Sequence, residues 1–173
     1  GDRNDYDYIY AREKLATLAG KKLHGKRNHI ARFKDSGDWS YEPMTAENIE
    51  ECRTMTYTWI HMREEKWNEE MNQESSVRHE AFDHMQELGL VGGVLRRDGQ
   101  IVAFSIGERL NSETFVVHFE KAYPDLQGAY PMINQQFVLH ECEGYAYVNR
   151  EEDTGDPGLR KAKLSYYPDI LLP

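Results

Sequence analysis

The chain has 173 residues, 21 Lys and Arg against 30 Asp and Glu, a formal net charge of −9 and two Cys. No apolar run approaches the ~18 residues of a membrane helix, and the acidic balance excludes a surface that binds nucleic acid all round, although a local basic patch stays open. Leu, Ile, Val and Phe supply only about 20% of the residues, at the border where charged chains stop folding, but eleven Tyr, three Trp and six Met add large buriable areas. One domain is therefore expected, with a thin core and a face left for a partner or a neighbouring domain. Cys52 and Cys142 form no CxxC, and GDRNDYDYIY lacks the pattern of a secretory signal, so the cytoplasm is the expected compartment. A Gly at position 1 in place of Met is read as a start lying upstream.

In chain order, residues 11–19 have helical spacing, with Leu15, Leu18 and Ala19 on one side and Gly20 as the stop. Residues 21–34 follow with Lys21, Lys22, Lys26, Arg27, Arg32 and Lys34 and no acid, so this stretch holds +6 while the rest of the chain sums to −15. It reads equally as a solvated helix face beside an acidic neighbour and as a phosphate-binding segment. Residues 39–44 alternate like a strand. Thr45 caps a helix with the stripe Ile49, Cys52, Thr56, Trp59 and Ile60, running to about Asn68. A second helix opens at Ser75 or Ser76, carries Val77, Ala81, Met85 and Leu88, and closes at Gly89. From Leu90 to Lys121 the period becomes two, broken by Asp98-Gly99 and by Asn111-Ser112, which predicts a three-strand antiparallel meander. A helix with Met132, Ile133, Phe137 and Val138 as its apolar face, a strand over 145–149 and a helix over 158–167 complete the order.

Several motifs fail on their chemistry. Residues 20–27 fit G-x-x-x-x-G-K but end in Arg27 where a phosphate loop needs Ser or Thr, and they follow a helix where a strand is required. His24/His29 and His79/His84 are five apart, which on a helix separates them by about 140°, so no metal site is expected. Neither Cys nor Ser105 is marked as a nucleophile. The meander's last strand is different. Val116, His118 and Glu120 are expected on one face, with Val117, Phe119 and Lys121 on the other. A carboxylate beside an imidazole at a strand's end can act as general base, with the helix start at Gly128 receiving an anion. The competing reading is a half-buried strand His118 with Glu120 paired to Lys121 or Arg109. The mixed charges of residues 149–163, including Asn149, Arg150, Arg160 and Lys163, read as an ion-pair network lining a pocket or as a solvated turn.

Taken together, YEPMTAENIEEC (41–52), GKKLHGKRNHIARFK (20–34), GLVGGVLRRDGQIVAFSIGERL (89–110), HFEKA (118–122), NREED (149–153) and GLRKAKLSYYP (158–168) resemble a bacterial family named after the phosphatidylglycerol lysyltransferase C-terminal domain. The resemblance covers essentially the whole chain. It implies an α/β (α+β), GNAT-like acyltransferase fold: a mixed, mainly antiparallel sheet with helices on both faces. Residues 1–35 are then a helical connecting segment and residues 36–173 a GNAT-like domain, the C-terminal half of a tandem protein stopping before a final strand, with a missing N-terminal GNAT-like half as partner. The implied activity is transfer of an acyl or aminoacyl group to the amine or hydroxyl of a small-molecule acceptor, with acyl-CoA or aminoacyl-tRNA as donor, no certain cofactor and no membrane span. The turn 125–130 departs from the family's Q/R-x-x-G-x-G/A pattern: Asp125 would repel a pyrophosphate and Tyr130 would obstruct it. On this resemblance Glu120 is expected as the base, His118 as its orienter, and Tyr166 or Tyr167 as the proton donor to the leaving group. Gly128, Asn149, Arg150 and Arg160 are expected to hold a carboxylate or phosphate, and Lys21, Lys22, Lys26 and Arg27 to attract tRNA phosphates. A degenerate GNAT-like module that binds an anionic or zwitterionic ligand without chemistry is the alternative, and docking of the basic segment onto the absent half is a third reading.

Overall fold

A computed structural model describes residues 2–62 and 80–173. Its centre is a seven-stranded sheet formed by β1 (Asp7–Ala11), β2 (Trp39–Pro43), β3 (Val91–Arg97), β4 (Gln100–Arg109), β5 (Thr114–Ala122), β6 (Tyr147–Asn149) and β7 (Ile170–Leu172), in the order β2-β3-β4-β5-β6-β1-β7. All neighbours are antiparallel except β5 and β6. The helices are α1 (Arg12–Thr17), α2 (His24–Asp35), α3 (Ile49–Met62), α4 (Met85–Leu88), α5 (Ala129–Glu141) and α6 (Pro157–Leu164).

The meander forms where the period-two pattern places it. Asp98 and Gly99 both have positive φ, 51° and 84°, the left-handed pair that a two-residue hairpin of native twist needs. The sheet separates two apolar clusters, so the strands are buried on both sides. One joins Leu95, Ala103, Phe115 and Val117 to Leu15, Phe33, Met132, Ile133 and Phe137 of α1, α2 and α5. The other joins Val94, Ile101, Phe104 and Ile106 to Cys52 and Met55 of α3 and to Phe82. Helices thus cover both faces, as the mixed fold class requires.

Two strands escape the sequence pattern. Residues 1–35 are helical only in part, because β1 lies inside the sheet between β6 and β7. Residues 170–172 add an edge strand where the chain was expected to stop short of one. The predicted helix over 45–68 is seen as α3 to Met62, and its remainder and the start of the next helix lie outside the described residues. Gly89 closes that next helix in the left-handed region, φ 69°, but Leu88 is exposed and Phe82 takes the buried position instead.

Two features of β5 prepare the site. Its parallel ladder with β6 covers only Thr114↔Tyr147, Phe115↔Val148 and Val116↔Asn149, and β5 then continues to Ala122 with no β6 residue beside it. The strands diverge there. Against β4, Ile106 faces Phe119 and Gly107 faces Val117, which leaves His118 as the extra residue of a bulge. Gly107 is required at this point, since a Cβ would lie 2.2 Å from the carbonyl oxygen of Val116.

Candidate functional site at the divergence of β5 and β6

The gap between the two strands is bridged by side chains from HFEKA and NREED. Glu120 Oε1 accepts from Arg150 Nη2 at 2.9 Å, and Glu120 Oε2 accepts from Asn134 Nδ2 of α5 at 3.0 Å. Both members of the pair are nearly buried, with side-chain exposures of 11% for Arg150 and 13% for Glu120. The guanidinium lies 4.8 Å from the ring centroid of Tyr166 and 5.7 Å from that of Tyr10, and these two rings meet edge to face. Lys26 of α2 covers Tyr166 at 4.3 Å, and its pKa is lowered, chiefly by burial. Burial also raises the phenols of Tyr10, to about 12, and Tyr166, so both stay protonated at neutral pH.

Two polar atoms in this cluster have no hydrogen-bond partner. Arg150 Nη1 is a buried donor and Asn134 Oδ1 a buried acceptor, each on a side chain that holds one oxygen of Glu120. Turning the Asn134 amide would set its oxygen against the carboxylate, so Glu120 fixes which end is unfilled. A buried orphan donor and acceptor together are rare in a folded core and commonly mark where a water or ligand sits.

His118 is not part of this cluster. The bulge shifts the alternation by one residue, so the expected common face of Val116, His118 and Glu120 does not form. The His118 nitrogens go to Glu151 at 3.1 Å and Glu108 at 3.3 Å, and the hydrogen bond His118 donates to Glu151 is the main cause of its raised pKa. The residue lines a separate cleft of about 540 Å³ with Glu108, Glu151, Phe119, Ala81 and Leu88. Ser105 donates to the carbonyl of Phe119 and braces the bulge.

The anion-holding set also divides. Arg150 faces the gap, but Arg160 pairs with Asp153 at 2.7 Å, in a network with Asn4 and Tyr8. Asn149 is buried and joins β6 to Asp7 of β1 while accepting from the Glu151 amide. Gly128 caps α5 with φ 82°, yet a Cβ there would lie 2.3 Å from the His29 carbonyl oxygen. The glycine thus lets α2 pack directly against this turn. Tyr167 is 44% exposed and touches Lys22 at 5.0 Å, away from Tyr166. Arg27 donates to the Leu18 and Gly20 carbonyls past the end of α1, Lys21 and Lys22 are exposed, and only Lys26 of the basic segment reaches the cluster. Sequence reasoning missed Asn134, a buried polar residue on an otherwise mostly apolar helix face, and Tyr10, which lies on the unpredicted β1.

A family model described as phosphatidylglycerol lysyltransferase, C-terminal, matches residues 1–173. The chain belongs to this family. It is similar to a Bacteroides thetaiotaomicron protein of unknown function, with 46% identity and a TM-score of 0.94 over 99% of this chain and 58% of that one. The structure of L-PGS from Bacillus licheniformis shares the fold, with 16% identity and a TM-score of 0.62 over 96% of this chain and 57% of that one. An uncharacterised protein of Mycoplasmoides gallisepticum is 25% identical over 171 residues, which are 96% of this chain and 54% of the relative. The chain therefore spans little more than half the length of the relatives it matches. The fold of this chain is GNAT-like, as its likeness to a tandem GNAT protein from the clavulanic acid biosynthesis pathway shows, with 7% identity and a TM-score of 0.51 over 95% of this chain and 50% of that one. The β5/β6 gap is the point at which its parallel pair separates. No helix among the described residues is long and apolar enough to cross a membrane.

Proposed function

We propose that this member of the lysyltransferase family moves an aminoacyl group from a charged tRNA to the amine or hydroxyl of a small acceptor, with the reacting ester held in the β5/β6 gap. The observation that carries this reading is the unfilled pair beside Glu120, a donor on Arg150 and an acceptor on Asn134. An acetyl group offers only a carbonyl acceptor. An α-aminoacyl ester offers a carbonyl to Arg150 and an ammonium to Asn134 and Glu120. Asp125, ahead of the turn at Gly128, would repel a pyrophosphate and supports the same choice of donor.

In this reading the acceptor's proton passes to Glu120 as its nucleophilic atom attacks the ester carbonyl. The developing oxyanion faces Arg150, and collapse expels the ribose oxygen, which takes a proton from Tyr166; the proton held on Glu120 then restores Tyr166, so both groups return to their starting state. Substrate entry has to replace one donor on Glu120, since both carboxylate oxygens are engaged. That engagement favours a second reading, a binding module that performs no chemistry. Lys21 and Lys22, exposed in the short turn that precedes α2, supply long-range phosphate attraction, and an N-terminal half would complete the acceptor side.

Calorimetric titration of the chain with L-lysine and with acetyl-CoA tests the donor class. Heat of binding with lysine and none with acetyl-CoA is expected. Tight binding of acetyl-CoA would overturn the aminoacyl reading in favour of an ordinary acyltransferase.

A further inference from the structure

Lys163 is a lysine where a lysine is costly. It is 7% exposed on α6, and burial lowers its pKa to about 8. Its ammonium donates to the carbonyl of Arg150 and to the carbonyl of Glu152, each at 2.6 Å, with the Tyr8 ring 5.7 Å away. Between those two carbonyls stands Glu151, whose φ of 62° is in the left-handed region that non-glycine residues avoid. This strained residue turns the chain so that Arg150 enters the gap toward Glu120 while Glu151 reaches His118.

The remaining backbone groups of the turn are held from other directions. The Arg150 amide donates to the Tyr8 carbonyl at 2.8 Å, the Tyr8 amide to the Glu151 carbonyl at 3.0 Å, and the Glu151 amide to Asn149 Oδ1 at 2.7 Å. Lys163 is itself fixed at its other end, because Tyr10 Oη donates to the Lys163 carbonyl at 2.5 Å. Tyr10, Lys163 and Arg150 close a ring of contacts, since the Arg150 guanidinium also lies against the Tyr10 ring.

We propose that Lys163 is a positioning residue: by clamping the carbonyls on both sides of Glu151 it sets the direction in which Arg150 enters the gap. The inference rests on the reading of Glu120 and Arg150 as the reacting groups, and it adds a residue that touches neither substrate nor the carboxylate. Removing the ammonium frees two carbonyls at a strained turn, and the turn relaxes by swinging Arg150 away from Glu120.

Nitrogen-15 NMR of the arginine side chains tests this without an activity assay. In the parent chain the Glu120 pair restricts rotation, so Arg150 is expected to give separate Nη resonances, which R150Q identifies by their loss. In K163M these resonances are expected to merge into one averaged signal, and in K163R, which keeps a cation and its donors, to persist. Separate Arg150 resonances in folded K163M would overturn the proposal. Should K163M fail to fold, K163A carries the same comparison, because it also removes every donor: merging supports the clamp and unchanged separation refutes it. If R150Q leaves lysine binding untouched, the reading of the site falls while Lys163's hold on Arg150 stands. If the Arg150 signals ignore Lys163, the positioning falls and the reading of the site stands.

Discussion

Two charged clusters grow from residues 149–153, and they end differently. At Asp153, fully buried, the carboxylate accepts from Tyr8 Oη at 2.5 Å, from Arg160 Nε at 2.7 Å and from the Gly155 amide at 2.9 Å, with Arg3 in ion-pair range at 3.6 Å. At Glu120 the carboxylate is also held, but its two holders, Arg150 and Asn134, each keep one buried polar atom unfilled. The first cluster surrounds its carboxylate with three donors and ties β1 to α6, with Arg3 Nη1 at its edge buried and without a hydrogen-bond partner. The second asks for one more group, and it lies where two parallel strands separate. Charge density does not distinguish a brace from a site here; an unfilled donor and acceptor together at the point where β5 and β6 separate do.

The comparison breaks first at Asp153. D153A leaves the Tyr8 hydroxyl and the Arg160 guanidinium without their acceptor and is expected to cost about 3 kcal/mol in chemical denaturation. An effect near zero would show that the first cluster braces nothing. The same carboxyl is held well below the usual carboxylate range, mainly by Arg160 and helped by Tyr8. A depressed folded pKa contributes stability above the unfolded value of about 4 that is lost as pH falls through the acid range. The parent chain should therefore weaken more steeply than D153N below pH 4, and parallel curves would contradict the assignment.

His118 offers a smaller and opposite pH effect. Its folded pKa is raised by Glu151 and Glu108, so its contribution is fully present below the unfolded value of about 6.5 and is lost as pH rises through the folded one. Thermal unfolding of the parent and of H118Q should converge as pH rises from 6 toward 8. Curves that keep a constant separation would remove the His118 pairing from the account.

Much of this architecture is legible in the sequence. The meander follows from its period of two and from Asp98-Gly99, and α5 from Met132, Ile133, Phe137 and Val138, all of which are buried. β1 is hidden because Tyr8, Ile9 and Tyr10 are buried in succession, with no alternation to read, and its partners β6 and β7 lie at the far end of the chain. β7 is too short, at three exposed residues, to carry a pattern. In the site, the pairing of HFEKA with NREED is legible from their charges. The displacement of His118 is not, because a bulge depends on the register of the neighbouring strand. Asn134 and Lys163 look like an ordinary helix polar residue and a surface cation until their burial is seen.

The central claim is that the unfinished cluster is where an aminoacyl group is transferred, with Glu120 taking the acceptor's proton. Its most direct test is transfer of a labelled amino acid from charged tRNA by the full-length protein, comparing the parent with E120Q. Loss of about 10² to 10⁴ in rate, with the fold retained, is the expected result. Transfer by E120Q within a few-fold of the parent would contradict the account.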